Sequence, residues 1–349
     1  MVNVGKQTNR VLEMKQYTIA TFGDIGGLTQ REVETPQPQA GQVLVKMRAA
    51  SLNYRDLMVV QGVYSDAPRR GLVPLSDGAG EVVTVGDGVS QWNIGDRVAG
   101  IFFQDWIDER LDRTKMKSDL GGGIDGVLTE YRVFDENGLV RLPEHLSFEE
   151  GATLPCAGVT AWHALERGRL KSDDTLLLLG TGGVSIFGLQ FAKARGSRVI
   201  ITSSSDEKLE RARNLGADET INYNDVPNWD ERIFELTGRN GADQVLEVGG
   251  NGTWEKSLRA LRIGGTMSMI GGVSGFGGTV NPFPILFGSL NVHGIYVGSR
   301  AMFEAMNRVL ESQQIRPVVD RVFAFDQSKA AYEYLESGAH FGKVVLSIP

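Results

Sequence analysis

Apolar and polar positions alternate along much of the chain up to residue 155. In the stretch QVLVKMRA the apolar residues Val43, Val45 and Met47 stand at every second position, and the stretches GAGEVVTVG and GDRVAGIF are rich in β-branched residues and bounded by glycine. Alternation with this period is typical of half-buried strands. The first part of the chain is therefore predicted to form a β-rich lobe. Segment 104–126 is charged and then glycine-rich, has no clear period, and is expected to lie on the surface, where it either covers a cleft or has no role.

From about residue 158 the pattern changes to apolar strands that alternate with amphipathic helices. Six stretches are predicted as strands: TLLLLG, RVIITS, DETINY, ADQVLEVGG, TMSMIGG and NVHGIYVG. Four are predicted as helices between them: GVSIFGLQFAKARG, SDEKLERARNLG, NWDERIFELTG and TWEKSLRALRIGG. Ser205 or Asp206 is expected to cap the second helix and Thr253 the fourth. This alternation predicts βαβ units and a parallel sheet.

The last fifty residues return to mixed elements. The stretch RAMFEAMNRVLESQQ places Phe303, Met306, Val309 and Leu310 on one helical face, and RPVVDRVFAF, DQSKAAYEYLESG and GKVVLSI are predicted as strand, helix and strand. We expect these elements to fold back onto the first lobe. A chain of 349 residues suffices for two lobes with a cleft between them.

Composition excludes several classes of protein. Charged residues make up 23% and apolar residues 41% of the chain, and a net charge of −7 with scattered Lys and Arg argues against nucleic acid as a partner. Cys156 is the only cysteine, so no internal disulfide or multi-cysteine metal site is expected. No apolar stretch reaches the roughly 18 residues of a membrane span, and the first fifteen residues lack a signal-peptide core. We expect a cytoplasmic protein that acts on a small molecule.

Three glycines follow the first strand of the parallel sheet. Gly180, Gly182 and Gly183, with Thr181 and Val184 in the same turn, lie where a dinucleotide-binding protein brings its backbone and a helix N-terminus to a pyrophosphate. The third glycine of the usual motif is replaced by Ser185, and Gly188 is a nearby small residue for helix packing. The alternative is a strand-to-helix turn in another doubly wound protein.

The end of the next strand indicates which cofactor is used. An NAD-specific site usually has an acid there, whereas this chain has Ser203 and Ser204, and the first acid is Asp206 in the following helix. Serine hydroxyls donate hydrogen bonds to a 2′-phosphate, and Lys208 adds a positive charge. The sequence favours NADP(H). An unselective site that also accepts NAD(H) remains open, because no arginine is placed to clamp the phosphate.

Several motifs together resemble one enzyme family. They are SLNYRD (51–56), PLSDGAGEVVTVG (74–86), GDRVAG (95–100), LPCAGVTAWHAL (154–165), GTGGVSIFG and GKVVLSI. The chain resembles a zinc-independent medium-chain dehydrogenase/reductase, similar to quinone oxidoreductases and to the zinc-less branch of the alcohol dehydrogenases. The resemblance implies an α/β protein with a GroES-like β-barrel catalytic domain, residues 1–157 and 299–349, and a Rossmann doubly wound parallel-sheet domain, residues 158–298. It also implies an active site between the domains and a homodimer joined through the Rossmann sheets.

The resemblance also implies where a catalytic zinc would bind. Zinc-bearing relatives place Cys, then His followed by Glu, then Cys at positions that here hold Asn53, Ser76 with Asp77, and Cys156. A catalytic zinc needs three protein ligands, and one cysteine with an amide and a hydroxyl is a poor set. None of the four histidines has a metal-ligand spacing to Cys156: His145, His163, His293 and His340. Segment 104–126 occupies the place of the cysteine-rich structural-zinc lobe. We therefore expect no metal.

The missing zinc affects the predicted reaction. Alcohol oxidation benefits from a Lewis acid at the hydroxyl oxygen. Hydride addition to a quinone or an α,β-unsaturated carbonyl needs only a donor that stabilises charge on a carbonyl oxygen. Reduction by NADPH is the leading hypothesis. The alternatives are a zinc-less NAD(P)-dependent alcohol or aldehyde dehydrogenase and a non-catalytic nucleotide-binding protein.

Candidate catalytic residues follow from the resemblance. Asn53 and Tyr54 are expected near the nicotinamide and the substrate, with packing at a strand end as the alternative, and Asp56 and Asp77 are expected to hold the geometry of the site. Tyr64 resembles the proton-donating tyrosine of enoyl-thioester reductases in the same superfamily; simple aromatic packing is its alternative.

Further residues are expected at the cofactor. Thr160 matches a position that packs on the nicotinamide, with a helix interior as the alternative, and Lys343 matches a basic position that faces the cofactor phosphates, with a solvated surface lysine as the alternative. Cys156 is either a redox-sensitive thiol or a small buried hydrophobe. Four glycines at strand ends are assigned to the cofactor cleft: Gly249, Gly250, Gly271 and Gly272.

Overall fold

The computed structural model describes residues 13–65, 67–108, 110–275 and 277–349. The prediction that the N-terminus carries no signal peptide falls mostly on residues 1–12, outside the described residues. The elements of the first part are β1 (Glu13–Ile19), β2 (Leu28–Glu34), β3 (Gln42–Leu52), α1 (Tyr54–Gln61), β4 (Asp77–Val85), β5 (Arg97–Gly100), β6 (Tyr131–Asp135), β7 (Leu139–Arg141) and α2 (Phe148–Gly151). The predicted β-rich character of this part is confirmed.

The second part alternates helices and strands as the apolar pattern predicts. Its elements are α3 (Val159–Gly168), β8 (Thr175–Leu179), α4 (Gly183–Ala194), β9 (Arg198–Ser203), α5 (Asp206–Asn214), β10 (Glu219–Asn222), α6 (Trp229–Leu236), β11 (Ala242–Glu247), α7 (Trp254–Ala260), β12 (Leu261–Met269), α8 (Phe283–Phe287) and β13 (Asn291–Gly294). The last elements are α9 (Arg300–Ser312), β14 (Val319–Ala324), α10 (Ser328–Glu336) and β15 (Lys343–Ser347).

One helix is shorter than its predicted span. Residues 261–265 were expected at the end of α7, but α7 ends at Ala260 and β12 begins at Leu261. Leu261 lies opposite Ala242 at the start of β11, and the two strands then shift register before Thr266. Pairing with β11 therefore takes these residues from the helix, which local helical spacing does not reveal.

The parallel sheet has the doubly wound topology. Among the described residues its strands lie in the order β10-β9-β8-β11-β12-β13, all with parallel registers. The buried stretch TLLLL forms the central β8. The order of strands reverses between β8 and β11, and in such sheets ligands bind in the crevice at the carboxyl ends of the strands beside that point.

The second sheet is assembled from both ends of the chain. Its strands lie in the order β14-β15-β3-β4-β5-β7 within the described ranges, with β6 added along β3. The long β3 pairs with β15, β4 and β6 in turn, and its register with β4 shifts twice, which bends it into the wall of the GroES-like barrel. The C-terminal elements thus fold back onto the first lobe, as predicted. The domain boundaries at 157/158 and 298/299 stay predictions.

Segment 104–126 is not a simple surface excursion. Trp106, Asp119 and Leu120 are buried, and the carbonyl oxygens of Trp106 and Ile107 accept hydrogen bonds from the first residues of α9. The surface prediction is wrong for these residues, because isolated apolar side chains in a charged stretch leave no periodic signal. Across the part of the chain that is described, no helix is long and apolar enough to cross a membrane.

Candidate active site

The glycine turn leaves open space above the start of α4. Gly180 has φ +69°, a conformation that favours glycine, and Gly182 is extended and precedes the first turn of α4. A Cβ atom built on Gly180 or on Gly182 meets no atom within 4 Å. The N-terminal amides and dipole of α4 favour an anion at this place. The turn therefore fits the pyrophosphate of a dinucleotide.

Neighbouring residues fix the turn. The Ser185 hydroxyl donates to the Leu179 carbonyl oxygen at 2.7 Å, and the Gly342 N–H donates to the Thr181 carbonyl oxygen at 2.9 Å. A Cβ on Gly188 lies only 3.0 Å from the Leu178 side chain, so a small residue is needed there. Ser185 and Gly188 together allow the close packing of α4 on β8 that the third glycine of the usual motif provides.

The loop after β9 has serines at the positions where an NAD site usually has an acid that bonds the ribose hydroxyls. Ser203 is buried and Ser204 is exposed. Ser205, not Asp206, caps α5, because its hydroxyl accepts from the Lys208 N–H at 3.4 Å. The Asp206 carboxylate accepts from the Asn222 side chain at 2.9 Å. The Lys208 ammonium donates to the Gly338 carbonyl oxygen at 2.6 Å, and burial lowers the pKa of Lys208.

A buried carboxylate that the sequence analysis missed organises the next strand end. Glu247 Oε1 accepts from the N–H groups of Gly249 at 2.7 Å and Gly250 at 2.9 Å and from the Thr253 hydroxyl at 2.6 Å. Thr253 is the N-cap residue of α7, as predicted, but its hydroxyl bonds Glu247 and makes no hydrogen bond to a helix N–H group. A Cβ on Gly250 would lie 2.6 Å from Gly272 Cα, so the loops after β11 and β12 pack closely. The sequence signal that could have identified Glu247 is an acidic residue at the end of an otherwise apolar strand.

Lys343 links the glycine turn to the first lobe. It is buried, so the alternative of a solvated surface lysine is wrong. Its ammonium donates to the Leu52 carbonyl oxygen at 2.6 Å and to Asn53 Oδ1 at 2.5 Å. Its methylene groups pass beside Gly183, where a Cβ would lie 2.6 Å from Lys343 Cδ.

Hydrogen bonds join three of the four residues at the zinc-ligand positions, namely Ser76, Asp77 and Cys156. The Ser76 hydroxyl donates to Asp77 Oδ1 at 2.7 Å, and the Cys156 N–H donates to Asp77 Oδ2 at 3.2 Å. Burial raises the pKa of Asp77, and burial together with the Asp77 charge raises the pKa of the Cys156 thiol. A catalytic zinc needs three protein ligands, and this group offers a single thiol beside a hydroxyl and a carboxyl that are bonded to each other. Within the described ranges no three His, Cys, Asp or Glu side chains form a group that could hold a metal.

Asn53 lies at the start of α1 with one polar atom unused. Its backbone N–H donates to Asp56 Oδ2 at 2.7 Å in a capping box, whereas its buried Nδ2 faces the Asp77 carboxyl without a hydrogen bond of normal geometry to any described residue. Burial raises the pKa of Asp56 to about 6, and the nearby Arg55 guanidinium opposes that rise. An unused buried donor is costly unless a ligand satisfies it. Asn53 is therefore suited to face a bound substrate or cofactor.

The other three candidate residues, Tyr54, Thr160 and Tyr64, differ in their exposure and in their contacts. Tyr54, on the first turn of α1, is 44% exposed, and its phenol has no hydrogen bond within the described chain. Thr160 is buried in the first turn of α3. Tyr64 Oη lies 2.6 Å from Tyr296 Oη, and the Arg55 guanidinium stacks 4.3 Å from the centre of the Tyr64 ring. The sequence analysis missed Tyr296 and Arg55.

The fold and this site define a class of nucleotide-binding dehydrogenases. Residues 39–144 match the family model described as the alcohol dehydrogenase GroES-like domain, and residues 183–312 match the model described as zinc-binding dehydrogenase. The chain belongs to the medium-chain dehydrogenase/reductase family. It is an oxidoreductase, and the family implies NAD(P) as its cofactor.

Three related proteins indicate the range of this family. A zinc-type alcohol dehydrogenase-like protein of Schizosaccharomyces pombe is 47% identical, over 93% of this chain and 97% of the relative. A quinone oxidoreductase of Pseudomonas aeruginosa is 32% identical, over 95% of this chain and 99% of the relative. A crystal structure described as an alcohol dehydrogenase of Sinorhizobium meliloti superposes with a TM-score of 0.90 at 39% identity, over 96% of this chain and 98% of the other.

Proposed function

We propose that this chain is a zinc-independent, NADP(H)-dependent reductase of quinones or α,β-unsaturated carbonyls. The donor set at the zinc-ligand positions carries the proposal. It consists of an amide, a hydroxyl bonded to a buried carboxyl, and a single thiol whose backbone N–H also bonds that carboxyl. The Lys343 ammonium is held against the amide oxygen of Asn53, so a fixed cation already faces this group. Such a set fits neither the number nor the charge of zinc ligands.

The proposed preference for NADP(H) rests on the serine loop. Ser204 is exposed, and Asp206 is engaged by Asn222, so the first acid of the loop is held by another side chain. A 2′-phosphate would meet hydroxyl donors and the Lys208 ammonium in place of a repelling carboxylate. We assign Gly180, Thr181, Gly182, Gly183 and Val184 to the pyrophosphate. Gly249, Gly271, Gly272 and Thr160 are proposed along the rest of the cofactor, with Lys343 near its phosphates.

The proposed reaction uses donors rather than a metal. When bound, the reduced cofactor supplies a hydride. The chain supplies Asn53 Nδ2, which makes no hydrogen bond of normal geometry to the described residues although it faces Asp77, and the phenol of Tyr64 as donors to the substrate. Hydrogen bonds to a carbonyl oxygen stabilise the negative charge that develops on it. Quinones and enones spread that charge by conjugation, so they are reduced without a Lewis acid.

The first test is turnover by chelator-treated protein. We expect it to oxidise NADPH when a small quinone such as menadione, or a small enone such as ethyl vinyl ketone, is added, and to prefer NADPH over NADH. The loss of NADPH absorbance measures the rate, and metal analysis of the same sample controls for residual zinc. Turnover that appears only when zinc is restored would refute zinc independence. Absence of turnover with either cofactor would refute the reductase.

The cofactor preference is tested at Ser204. Ser204→Asp places a carboxylate beside the 2′-phosphate, so we expect kcat/KM for NADPH to fall at least about tenfold, with a smaller change for NADH. Ser204→Asn is the matched control, because it has nearly the same size without the charge. Equal losses in both variants would refute the charge effect on the 2′-phosphate, and no loss with Asp would remove Ser204 from the cofactor site.

A zinc-less alcohol dehydrogenase is the second candidate. The relatives described as alcohol dehydrogenase-like favour it. It predicts that the chelator-treated protein oxidises simple alcohols with NAD⁺ or NADP⁺. The same assay, run in the reverse direction with a short primary alcohol, distinguishes the two candidates.

A further inference from the structure

Two phenols from different parts of the chain meet at the candidate site. Tyr64 follows α1 of the first lobe, and Tyr296 follows β13 at the edge of the parallel sheet. Their hydroxyl oxygens are 2.6 Å apart, a normal distance for an O–H···O hydrogen bond. The separation of 232 positions in sequence means that this contact exists only when the two lobes are assembled.

The backbone beside Tyr296 is held in an unfavourable conformation. Val297 has φ +55°, in the left-handed region that a β-branched residue rarely adopts. His163 Nδ1 is 2.7 Å from the Val297 carbonyl oxygen, and burial lowers the pKa of His163, so the neutral ring serves as the donor. Gly298 follows, and a Cβ there would collide with Val159. The Tyr296 ring also packs edge-on against Phe103, with 5.0 Å between ring centres.

A fixed positive charge lies under Tyr64. The Arg55 guanidinium is 4.3 Å from the centre of the Tyr64 ring, and it donates to the Leu120 carbonyl oxygen at 2.7 Å and to Asp119 Oδ2 at 2.5 Å. Segment 104–126 thus anchors the arginine. Burial raises the pKa of both phenols, so both are protonated at neutral pH, and the Arg55 guanidinium reduces the cost of a phenolate at Tyr64.

Solvent reaches the second phenol more readily than the first. Tyr296 is 39% exposed, whereas Tyr64 is half-buried beside Arg55. A proton lost from Tyr64 therefore has a direct route of replacement, which runs from water to Tyr296 and from Tyr296 to Tyr64.

We propose that Tyr296 is a proton-relay and positioning residue for Tyr64 when the substrate is an enone. This inference rests on the proposed function. An enone that has accepted a hydride at its β-carbon is an enolate. Its α-carbon takes the Tyr64 hydroxyl proton as that O–H bond breaks, and the Tyr64 phenolate, beside Arg55, takes the hydroxyl proton of Tyr296. Tyr296 recovers its proton from water, so the net reaction consumes one hydride and one solvent proton.

The experiment compares an enone with a quinone in Tyr296→Phe. The quinone yields a hydroquinone oxyanion, which water protonates on oxygen without help. We expect kcat for ethyl vinyl ketone to fall at least about tenfold more than kcat for menadione, and the solvent deuterium isotope effect on enone reduction to increase. Tyr131→Phe, which removes a phenol from β6, is the matched control and leaves both rates within about twofold. Thermal unfolding of each variant verifies that it is folded.

A double-variant cycle tests that the two tyrosines act as a unit. Tyr64→Phe/Tyr296→Phe is expected to be no slower with the enone than Tyr64→Phe alone. Additive losses, or equal losses with enone and quinone and an unchanged isotope effect, would overturn the relay. A wild-type protein that reduces quinone but no enone also overturns it and leaves the quinone reductase standing. A wild-type protein that reduces neither refutes the proposed function itself.

Discussion

At the scale of single residues, the chemistry of the site depends on buried charges that lie close together. Asp56 and Arg55 are both buried and 3.6 Å apart, and Lys343 holds Asn53 by a hydrogen bond of 2.5 Å. The motifs of the sequence identified Asn53, Asp56, Asp77 and Cys156. They could not identify Lys343 as the partner of Asn53, because that pair is 290 positions apart in the chain.

The buried Asp56 predicts a pH-dependent contribution to stability. Its pKa rises from 3.8 to about 6 on folding, so the folded state holds this proton more strongly than the unfolded state does. The contribution is complete below about pH 4 and is lost as the pH rises through about 6. Asp56→Asn cannot ionise. The free energy of unfolding of the wild type minus that of Asp56→Asn should therefore fall between these pH values, as measured by urea unfolding at several pH values. A difference that stays flat or rises would contradict the prediction.

At the scale of elements, the turn between β8 and α4 combines a requirement of the fold with a requirement of binding. Gly180 needs its positive φ for the turn itself, and Gly188 needs its small size to pack against Leu178. Gly182 is different, because its φ is −77° and a Cβ on it would meet only open space. The fold therefore tolerates a side chain at Gly182, whereas a bound pyrophosphate would collide with it.

Gly182→Ala separates these two requirements. We expect the free energy of unfolding to fall by only about 1 kcal/mol, which is the cost of alanine as a poorer N-cap than glycine, because the added methyl group meets open space. The dissociation constant for NADPH should increase at least about tenfold. Urea unfolding and a fluorescence titration with NADPH measure the two quantities. An unchanged affinity would show that the cofactor does not lie on this turn, and a large loss of stability would show that the space is not free.

At the scale of the whole molecule, the parallel sheet ends in an exposed apolar edge. Among the described strands β13 pairs only with β12, and α8 beside it exposes Phe283, Leu286 and Phe287 by 57%, 69% and 77%. An open strand edge next to exposed aromatic side chains is a site for association with another chain. The homodimer through the Rossmann sheets, which the family resemblance implies, would cover this surface; we propose that arrangement here.

Replacing two exposed apolar residues of α8 by glutamate tests the proposed dimer. Leu286→Glu with Phe287→Glu puts two buried charges into the proposed interface, so we expect the mass measured by light scattering to fall from two chains to one of 38.0 kDa. Ile94→Glu is the control, because Ile94 is 67% exposed in the first lobe and should leave the dimer intact. A monomeric wild type, or a dimer that survives the double substitution, would contradict this arrangement.

The sequence by itself determined the alternation of strands and helices from β8 to β12, the doubly wound sheet and the position of the glycine turn, whereas it did not indicate the short helices α1, α2 and α8. These features depend on local periodicity, on apolar runs and on glycine conformations, all of which are written in neighbouring residues. The same local signals were insufficient at β12, where pairing with β11 shortened α7, and in segment 104–126, where single buried residues anchor a charged loop.

Only the tertiary structure decided which side chains face one another at the site. Lys343 meets Asn53, Tyr296 meets Tyr64, and Arg55 meets Asp119, in each case between residues more than 60 positions apart. The pKa values of Tyr64 and Tyr296 depend on burial and on neighbouring charges, which exist only once both lobes have folded together. A linear pattern records which chemical groups are available, whereas distance and dielectric environment determine what those groups do.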